Sequence, residues 1–328
     1  MFYRSKDKGE TDRTNMHSFF PWTGSVMFVC AVFFLFAVIT SCDNSSSADG
    51  SKGSITGFVK TNDQWVRPID EQENVTVSLK GTSNSDRTNA DGRFLLEDVR
   101  AGIYDISLEK AGFGTMRIPA FSFAGNGQAF IKPGEYTQLS KIPDFTTNID
   151  TIYTDTSFDG DITIDAEGFI SATVPHNGLG KVVTLYSTSE DISADPSSYD
   201  VFSYDLIRGG RSEYGNQAYL DQFAAPGDTV YVKSYSDSGV NTSYADPETN
   251  NMVFANLGDS TKTKQFVVPE AEGSKQKHQQ KLASGNIQGW IHFGKETIPI
   301  PKDITTKKLQ GIQQKIFNKF RQSTSSKR

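Results

Sequence analysis

Short period-two runs most constrain what this chain can fold into. Ile55, Gly57 and Val59 alternate with Thr56, Phe58 and Lys60, and Val75, Val77 and Leu79 with Thr76, Ser78 and Lys80. Later, Tyr104, Ile106 and Leu108 alternate with Asp105, Ser107 and Glu109. Alternation at this period puts every second side chain on one face, so each run predicts a half-buried strand. The turn chemistry between the runs agrees. Asp91-Gly92 lies between Thr88 and Phe94, a hairpin signal because both residues can take positive φ. Phe94 and Leu96 then share one face of the returning strand, which Tyr104, Ile106 and Leu108 complete. Gly102 opens that last strand, and Gly112 permits a close turn before Phe113.

The same grammar resumes beyond Pro143. Runs at 149–153, 162–164, 169–174, 182–186, 201–204, 229–235, 252–255 and 265–268 are separated by turn residues. These are Asp159-Gly160, Glu167-Gly168, Asn177-Gly178 and Pro226-Gly227-Asp228. Short strands spaced this way predict a second antiparallel sandwich. The expected fold class is therefore all-β, with two tandem antiparallel β-sandwiches at residues 54–140 and 141–270. A chain of 328 residues has room for about two such domains.

Ahead of them stands an uncharged apolar run from Val26 to Cys42, preceded by Arg4, Lys6, Lys8 and Arg13. That is the pattern of a targeting segment, here residues 1–41, and it takes no part in the fold. Residues 42–53 are Ser/Gly/Asp-rich and read as a flexible tether. Ile39-Thr40-Ser41-Cys42 resembles the lipobox of bacterial lipoprotein signals. The resemblance implies that the Cys42 thiol receives a diacylglycerol, that cleavage falls just before it, and that the new amino terminus is acylated, as with palmitate. Two or more acyl chains anchor a protein stably where one does not. A transmembrane helix over 19–40 is the competing reading. The basic residues precede the core either way, so both readings place the sandwiches outside the cytoplasm. The expected location is the bacterial cell envelope, lipid-anchored to a membrane, with the outer membrane favoured. Cys30 and Cys42 are the only cysteines, so a chain processed in this way has no disulfide.

The first sandwich carries a second resemblance. Gly57-Phe58-Val59, Val75-Thr76-Val77-Ser78-Leu79 and Thr88-Asn89-Ala90-Asp91-Gly92-Arg93-Phe94 follow one another in order, then Gly102-Ile103-Tyr104-Asp105-Ile106 and Gly112-Phe113. This order is similar to that of the carboxypeptidase regulatory-like domain. The resemblance covers about residues 54–132 and implies a seven-stranded sandwich of transthyretin-like topology with no active site. Gly227 to Tyr235 resembles the penultimate strand of fibronectin type III and related immunoglobulin-like modules, which would make Tyr231 a corner tyrosine.

Past residue 270 the character changes. The last 58 residues hold twelve basic against three acidic residues, a net +9, whereas the preceding 270 carry −15. An acidic body disfavours nucleic-acid binding. Residues 271–328 read as a basic linker and tail, in which Ile298-Pro299-Ile300-Pro301 is expected to forbid regular structure. Leu309, Ile312, Ile316 and Phe320 recur at helical spacing among lysines, predicting a basic amphipathic helix from Thr306 to Arg321. Such a helix suits an anionic surface or the acidic body, but a short isolated helix is marginal in water, and a frayed tail is the favoured expectation.

Little in the chain points to catalysis. Its four histidines, His17, His176, His278 and His292, lie in a leader, a loop and the tail. No nucleophile elbow, zinc-binding His pair or phosphate loop is present. Asp155, Asp159, Asp161, Asp165 and Glu167 crowd one stretch, but their spacing departs from calcium loops and suits solvated turns. No metal or cofactor is expected. The candidate ligand-binding residues are Tyr204, Arg208, Tyr214 and Tyr219, because exposed tyrosines beside arginine stack on sugars or on a partner protein. The expected function is that of a non-catalytic, lipid-anchored binding or scaffold module. The alternative is a glycan-capturing accessory protein of a polysaccharide system. The expected partners are the membrane, through the lipid, and a glycan or envelope protein.

Overall fold

A computed structural model of the chain describes residues 50–131, 137–156, 161–238, 243–246, 249–270, 287–293 and 296–325. The targeting segment, the lipobox residues Ile39, Thr40 and Ser41, and Cys42 lie outside these, as does Asp159. The first ten strands are β1 (Lys52–Phe58), β2 (Lys60–Asn62), β3 (Pro68–Ile69), β4 (Thr76–Leu79) and β5 (Ser85–Arg87). Then come β6 (Arg93–Arg100), β7 (Gly102–Glu109), β8 (Met116–Phe123), β9 (Gln128–Ile131) and β10 (Gln138–Ser140). One face is the sheet β6-β1-β9 with the short sheet β10-β2-β3, and the other is β5-β4-β7-β8. Between them lies a core of Ile55, Val77, Leu79, Phe94, Leu96, Ile106, Leu108 and Met116, all at most 1% exposed. Apart from Met116, these are residues that the alternation assigns to the inner face. Two pairs, β1 with β9 and β10 with β2, run parallel, so the sandwich is not antiparallel throughout.

The Asp91-Gly92 turn forms, but only Gly92 takes positive φ (78°). The Asn89 carboxamide accepts the N–H groups of Asp91 and Arg93 at 3.1 and 2.9 Å, which closes the turn without a second strained residue. Gly92 is required for a further reason. A Cβ there would stand 2.3 Å from the Val59 carbonyl oxygen, to which neighbouring backbone packs closely.

The second half contributes β11 (Thr147–Thr156), β12 (Ile162–Ile170), β13 (Leu179–Ser187), β14 (Val201–Arg208), β15 (Glu213–Tyr219) and β16 (Thr229–Asp237). It continues with β17 (Tyr244–Ala245), β18 (Met252–Val253), β19 (Leu257–Ser260), β20 (Lys264–Val267), β21 (Ile287–Phe293) and β22 (Glu296–Pro301), then the helix α1 (Thr306–Ser325). The sheet β11-β12-β15 packs on the larger sheet β19-β16-β13-β14-β21-β22, with β20 also on β16. Glu167-Gly168 is not a turn, as its composition predicts, but the interior of β12. Glycine stands there because a Cβ would lie 1.9 Å from the Asn148 carbonyl oxygen, beside a bulge in β11. The strand from Gly227 onward is β16, which sits inside the large sheet and is flanked by β13 on one side and by β19 and β20 on the other.

The tail is built into this sheet. β21 pairs in parallel with β14, and β22 closes the edge. Ile298-Pro299-Ile300-Pro301 therefore is regular structure, contrary to the sequence expectation. Prolines two apart direct their missing N–H groups to the same side, and an edge strand leaves that side unpaired. Trp290 (1% exposed) joins the core between the sheets, while Ile291 and Ile300 join the opposite face. Leu309 and Ile316 of α1 pack on that same face with Phe202, Tyr204 and Tyr235. The helix is thus stabilised by tertiary burial of its apolar stripe, which isolated propensity does not provide.

The two sandwiches are joined by a plug. Asp63 accepts the N–H groups of Trp65 and Arg67, each at 2.9 Å, and holds the Arg67 guanidinium at 2.6 Å. This tight loop between β2 and β3 projects Trp65 into the second half. Its ring stacks on Phe145 at 4.7 Å and 9° and packs with Ile170, Val174, Val182, Ile207 and Tyr214. Its carbonyl accepts the Leu179 N–H at 3.0 Å. Gly178 admits the ring's stem, since a Cβ there would lie 2.9 Å from Trp65 Cβ.

Candidate functional site

The residues that best combine exposure with varied polar chemistry meet between the first sandwich and the β17–β18 hairpin. Met116 and Ile118 of β8 take the core side of the alternation, which turns Arg117 outward. Tyr244 comes from β17, in register with Val253 of β18. The hairpin is tied to the start of α1, because the Ala245 N–H donates to Thr306 Oγ1 at 3.1 Å and Asn250 Nδ2 donates to the Lys302 carbonyl. From α1, Gln310 Nε2 reaches across to the Arg117 carbonyl at 3.0 Å. These ties bring the Arg117 guanidinium 4.5 Å from the centroid of the Tyr244 ring, a cation–π stack.

The stack separates two recesses of about 300 and 360 Å³ that both use Arg117 and Tyr244. Asp105, Asp246, Asn250 and Asp303 line the first, and Ser78, Lys80, Ser107 and Glu109 the second. Ser107 Oγ donates to Glu109 Oε1 at 2.8 Å, and Asp105 Oδ1 accepts the Ala120 N–H at 3.0 Å. Burial pushes the Tyr244 hydroxyl above its ordinary value, while Arg117 pulls it back. The arrangement offers an aromatic surface, a fixed cation, carboxylates and hydroxyls. Neither recess is lined by a histidine or cysteine.

The residues proposed from sequence do not assemble into one site. Tyr204 (2% exposed) lies under α1, and Tyr214 (3%) lies in the core around Trp65, its hydroxyl donating to the Asn148 carbonyl at 3.2 Å. Tyr219 packs against Trp290 at 5.2 Å in a third cluster. Only Arg208 is exposed, at the end of β14. Tyr204 and Tyr214 are thus corrected from ligand contacts to core residues. Strand alternation puts them on inward faces, a phase that composition alone does not fix. Sequence reasoning passed over Arg117 and Tyr244 because each is an isolated residue, and only the fold brings them together.

Of the acidic stretch, Asp155 lies on β11 and Asp165 and Glu167 lie on the paired strand β12. Asp165 is held by Thr163 Oγ1 at 2.8 Å and Gln217 Nε2 at 3.0 Å, and burial raises its carboxyl pKa. Tyr153 donates to Glu167 at 2.8 Å, and that hydrogen bond is the main reason its hydroxyl is pushed up to about 12. Among the described residues no group of three or more His, Cys, Asp or Glu side chains is placed to hold a metal ion. His176 is an exposed turn residue, whereas His292 is buried on β21 with Nε2 3.1 Å from the Gln217 carbonyl oxygen, and burial lowers its pKa.

No family model and no curated protein matches the chain. Among solved structures it is similar to a putative carbohydrate binding protein from Bacteroides uniformis, at 14% identity and a TM-score of 0.21 over 66% of this chain and 100% of that one. A DUF3823 family protein from the same species is 11% identical, with a TM-score of 0.25 over 66% and 99%. A type II cohesin–X-dockerin complex from Acetivibrio cellulolyticus contains a chain 20% identical over 27% of this protein, with a TM-score of 0.24. This chain spans 58% of that one. None of these likenesses is strong enough to transfer a function.

Proposed function

We propose that the protein is a non-catalytic binding module of the bacterial cell envelope, held to the outer membrane by acyl chains on Cys42, with Ile39, Thr40 and Ser41 as its lipobox. Its first sandwich is read as a carboxypeptidase regulatory-like module, and its ligand as a glycan. The observation that carries the glycan reading is the Arg117–Tyr244 stack between two polar recesses. A sugar needs a flat apolar contact for its C–H face and a ring of directional acceptors and donors for its hydroxyls. The groove supplies both, and its carboxylates disfavour an anionic ligand.

The test is titration of the full chain against a panel of neutral oligosaccharides, followed calorimetrically. A Tyr244→Ala or Arg117→Ala variant is expected to weaken binding at least tenfold, with the melting temperature within a few degrees of wild type. Binding that survives both substitutions overturns the groove as the site. Failure of every neutral glycan to bind overturns the ligand class. The anchor is tested separately, by peptide mass spectrometry of the membrane-extracted protein. An acylated peptide beginning at Cys42 is expected, and a mature chain that retains residues 1–41 overturns the anchor.

A further inference from the structure

Lys181 and Asp237 are direct cross-strand partners on β13 and β16, on the face of the large sheet that α1 covers. Their side chains are 2% and 0% exposed, and Lys181 Nζ lies 2.7 Å from Asp237 Oδ2. The carboxylate is approached by Lys181 and by the Ser238 N–H, and among the described residues Nζ has no acceptor other than Asp237. The Tyr204 and Phe254 rings lie 4.6 and 5.7 Å from Nζ and shield it from water.

A buried ion pair repays its desolvation only when its geometry is good and its remaining hydrogen-bonding capacity is met. Here the remaining hydrogen-bonding capacity of the ammonium is unmet, so structural stabilisation is a poor account of the pair. The geometry fits a different role. An amine and a carboxyl held dry and in contact are a near-attack pair, and such placement is worth effective molarities of about 10⁵–10⁸ M. We propose that Lys181 and Asp237 condense into an intramolecular amide that cross-links β13 to β16.

The step needs no external reactant. A proton passes from the ammonium to the carboxylate, leaving a neutral amine and a carboxylic acid. The Nζ lone pair attacks Cγ, a C–N bond forms, and one C–O bond breaks. The departing hydroxyl takes a proton from nitrogen and leaves as water. Burial assists, since it pushes the Asp237 carboxyl toward its neutral form, offset only in part by Lys181. The product exchanges two buried charges for one neutral amide, and the surrounding rings keep out the water that would reverse it. The cross-link closes the chain from 181 to 237 into a ring, constraining the unfolded state as a disulfide does. It does so in a body with no cysteine beyond residue 42.

The experiment uses the full chain, denatured, treated with an amine-acetylating reagent, digested with trypsin and analysed by fragmenting mass spectrometry. Wild type is expected to yield one branched species containing residues 181 and 237, lighter by one water than the two peptides together, with no acetyl group on Lys181. Asp237→Ala is expected to abolish the branch and expose Lys181 to acetylation. Recovery of residues 181 and 237 from wild type as separate peptides, with Lys181 acetylated, overturns the proposal. This readout does not depend on any variant folding.

Discussion

Replacing Trp65 with alanine tests how the two sandwiches are held together. The indole is 7% exposed, stacked on Phe145 and enclosed by Ile170, Val174, Val182, Ile207 and Tyr214 of the second half. An aromatic side chain of this kind buries about 150–250 Å², which at about 25 cal/mol per Å² corresponds to about 4–6 kcal/mol before any relaxation. Measured aromatic-to-alanine losses run to about 3–5 kcal/mol, and that is the range expected here. Trp65 belongs to a loop of the first sandwich while its neighbours belong to the second, so the loss falls on the coupling as well as on total stability. Differential scanning calorimetry of the wild type is expected to give one cooperative transition. Trp65→Ala is expected to resolve two transitions, with the lower one displaced by at least several degrees. Trp65→Phe, which can keep a ring on Phe145, is expected to lose about half as much. A Trp65→Ala thermogram superimposable on wild type, with a loss below about 1 kcal/mol, refutes the plug.

Two further outcomes follow from local geometry. Burial is the main cause of the Asp205 carboxyl pKa being raised to about 6, with Arg211 and Arg208 partly opposing it. The folded protein therefore holds that proton more tightly than the unfolded chain does. Stability from this group is complete below about pH 4 and is lost as pH rises through about 6, by a total of about 3 kcal/mol. Asp205→Asn should remove that slope and be the more stable protein above pH 6 in urea titrations, and an unchanged slope would reject the assignment. Gly168→Ala should destabilise by about 2 kcal/mol or more, because the new Cβ would lie 1.9 Å from a backbone oxygen. Gly215→Ala, on the paired strand with nothing nearer than 3.9 Å, is the control and should be close to neutral in the same thermal melts.

The sequence by itself determined the class of fold and the inner face of the first sandwich. Period-two alternation is a local property, so Phe94, Leu96, Ile106 and Leu108 could be assigned to a core without knowing what lies opposite. The turns at Gly92 and Gly227 were legible for the same reason, since positive φ is a local demand, whereas the Val59 carbonyl that also excludes a Cβ at position 92 was not. What failed were positions whose meaning is set by a distant neighbour. Gly168 looks like a turn until the Asn148 carbonyl is seen pressing on it. Pro299 and Pro301 look like breakers until they are found on an edge strand whose outer side needs no donors. The amphipathic helix was visible, but whether it would fray depended on the face of Phe202 and Tyr204 that it covers. The same dependence governs the candidate sites. Tyr204 and Tyr214 have the composition of a binding surface but the positions of a core, whereas Arg117 with Tyr244, and Lys181 with Asp237, acquire their chemistry only from proximity. Local periodicity fixes which way a side chain faces within its strand, and only the packing of strand on strand and helix on sheet decides what it meets there.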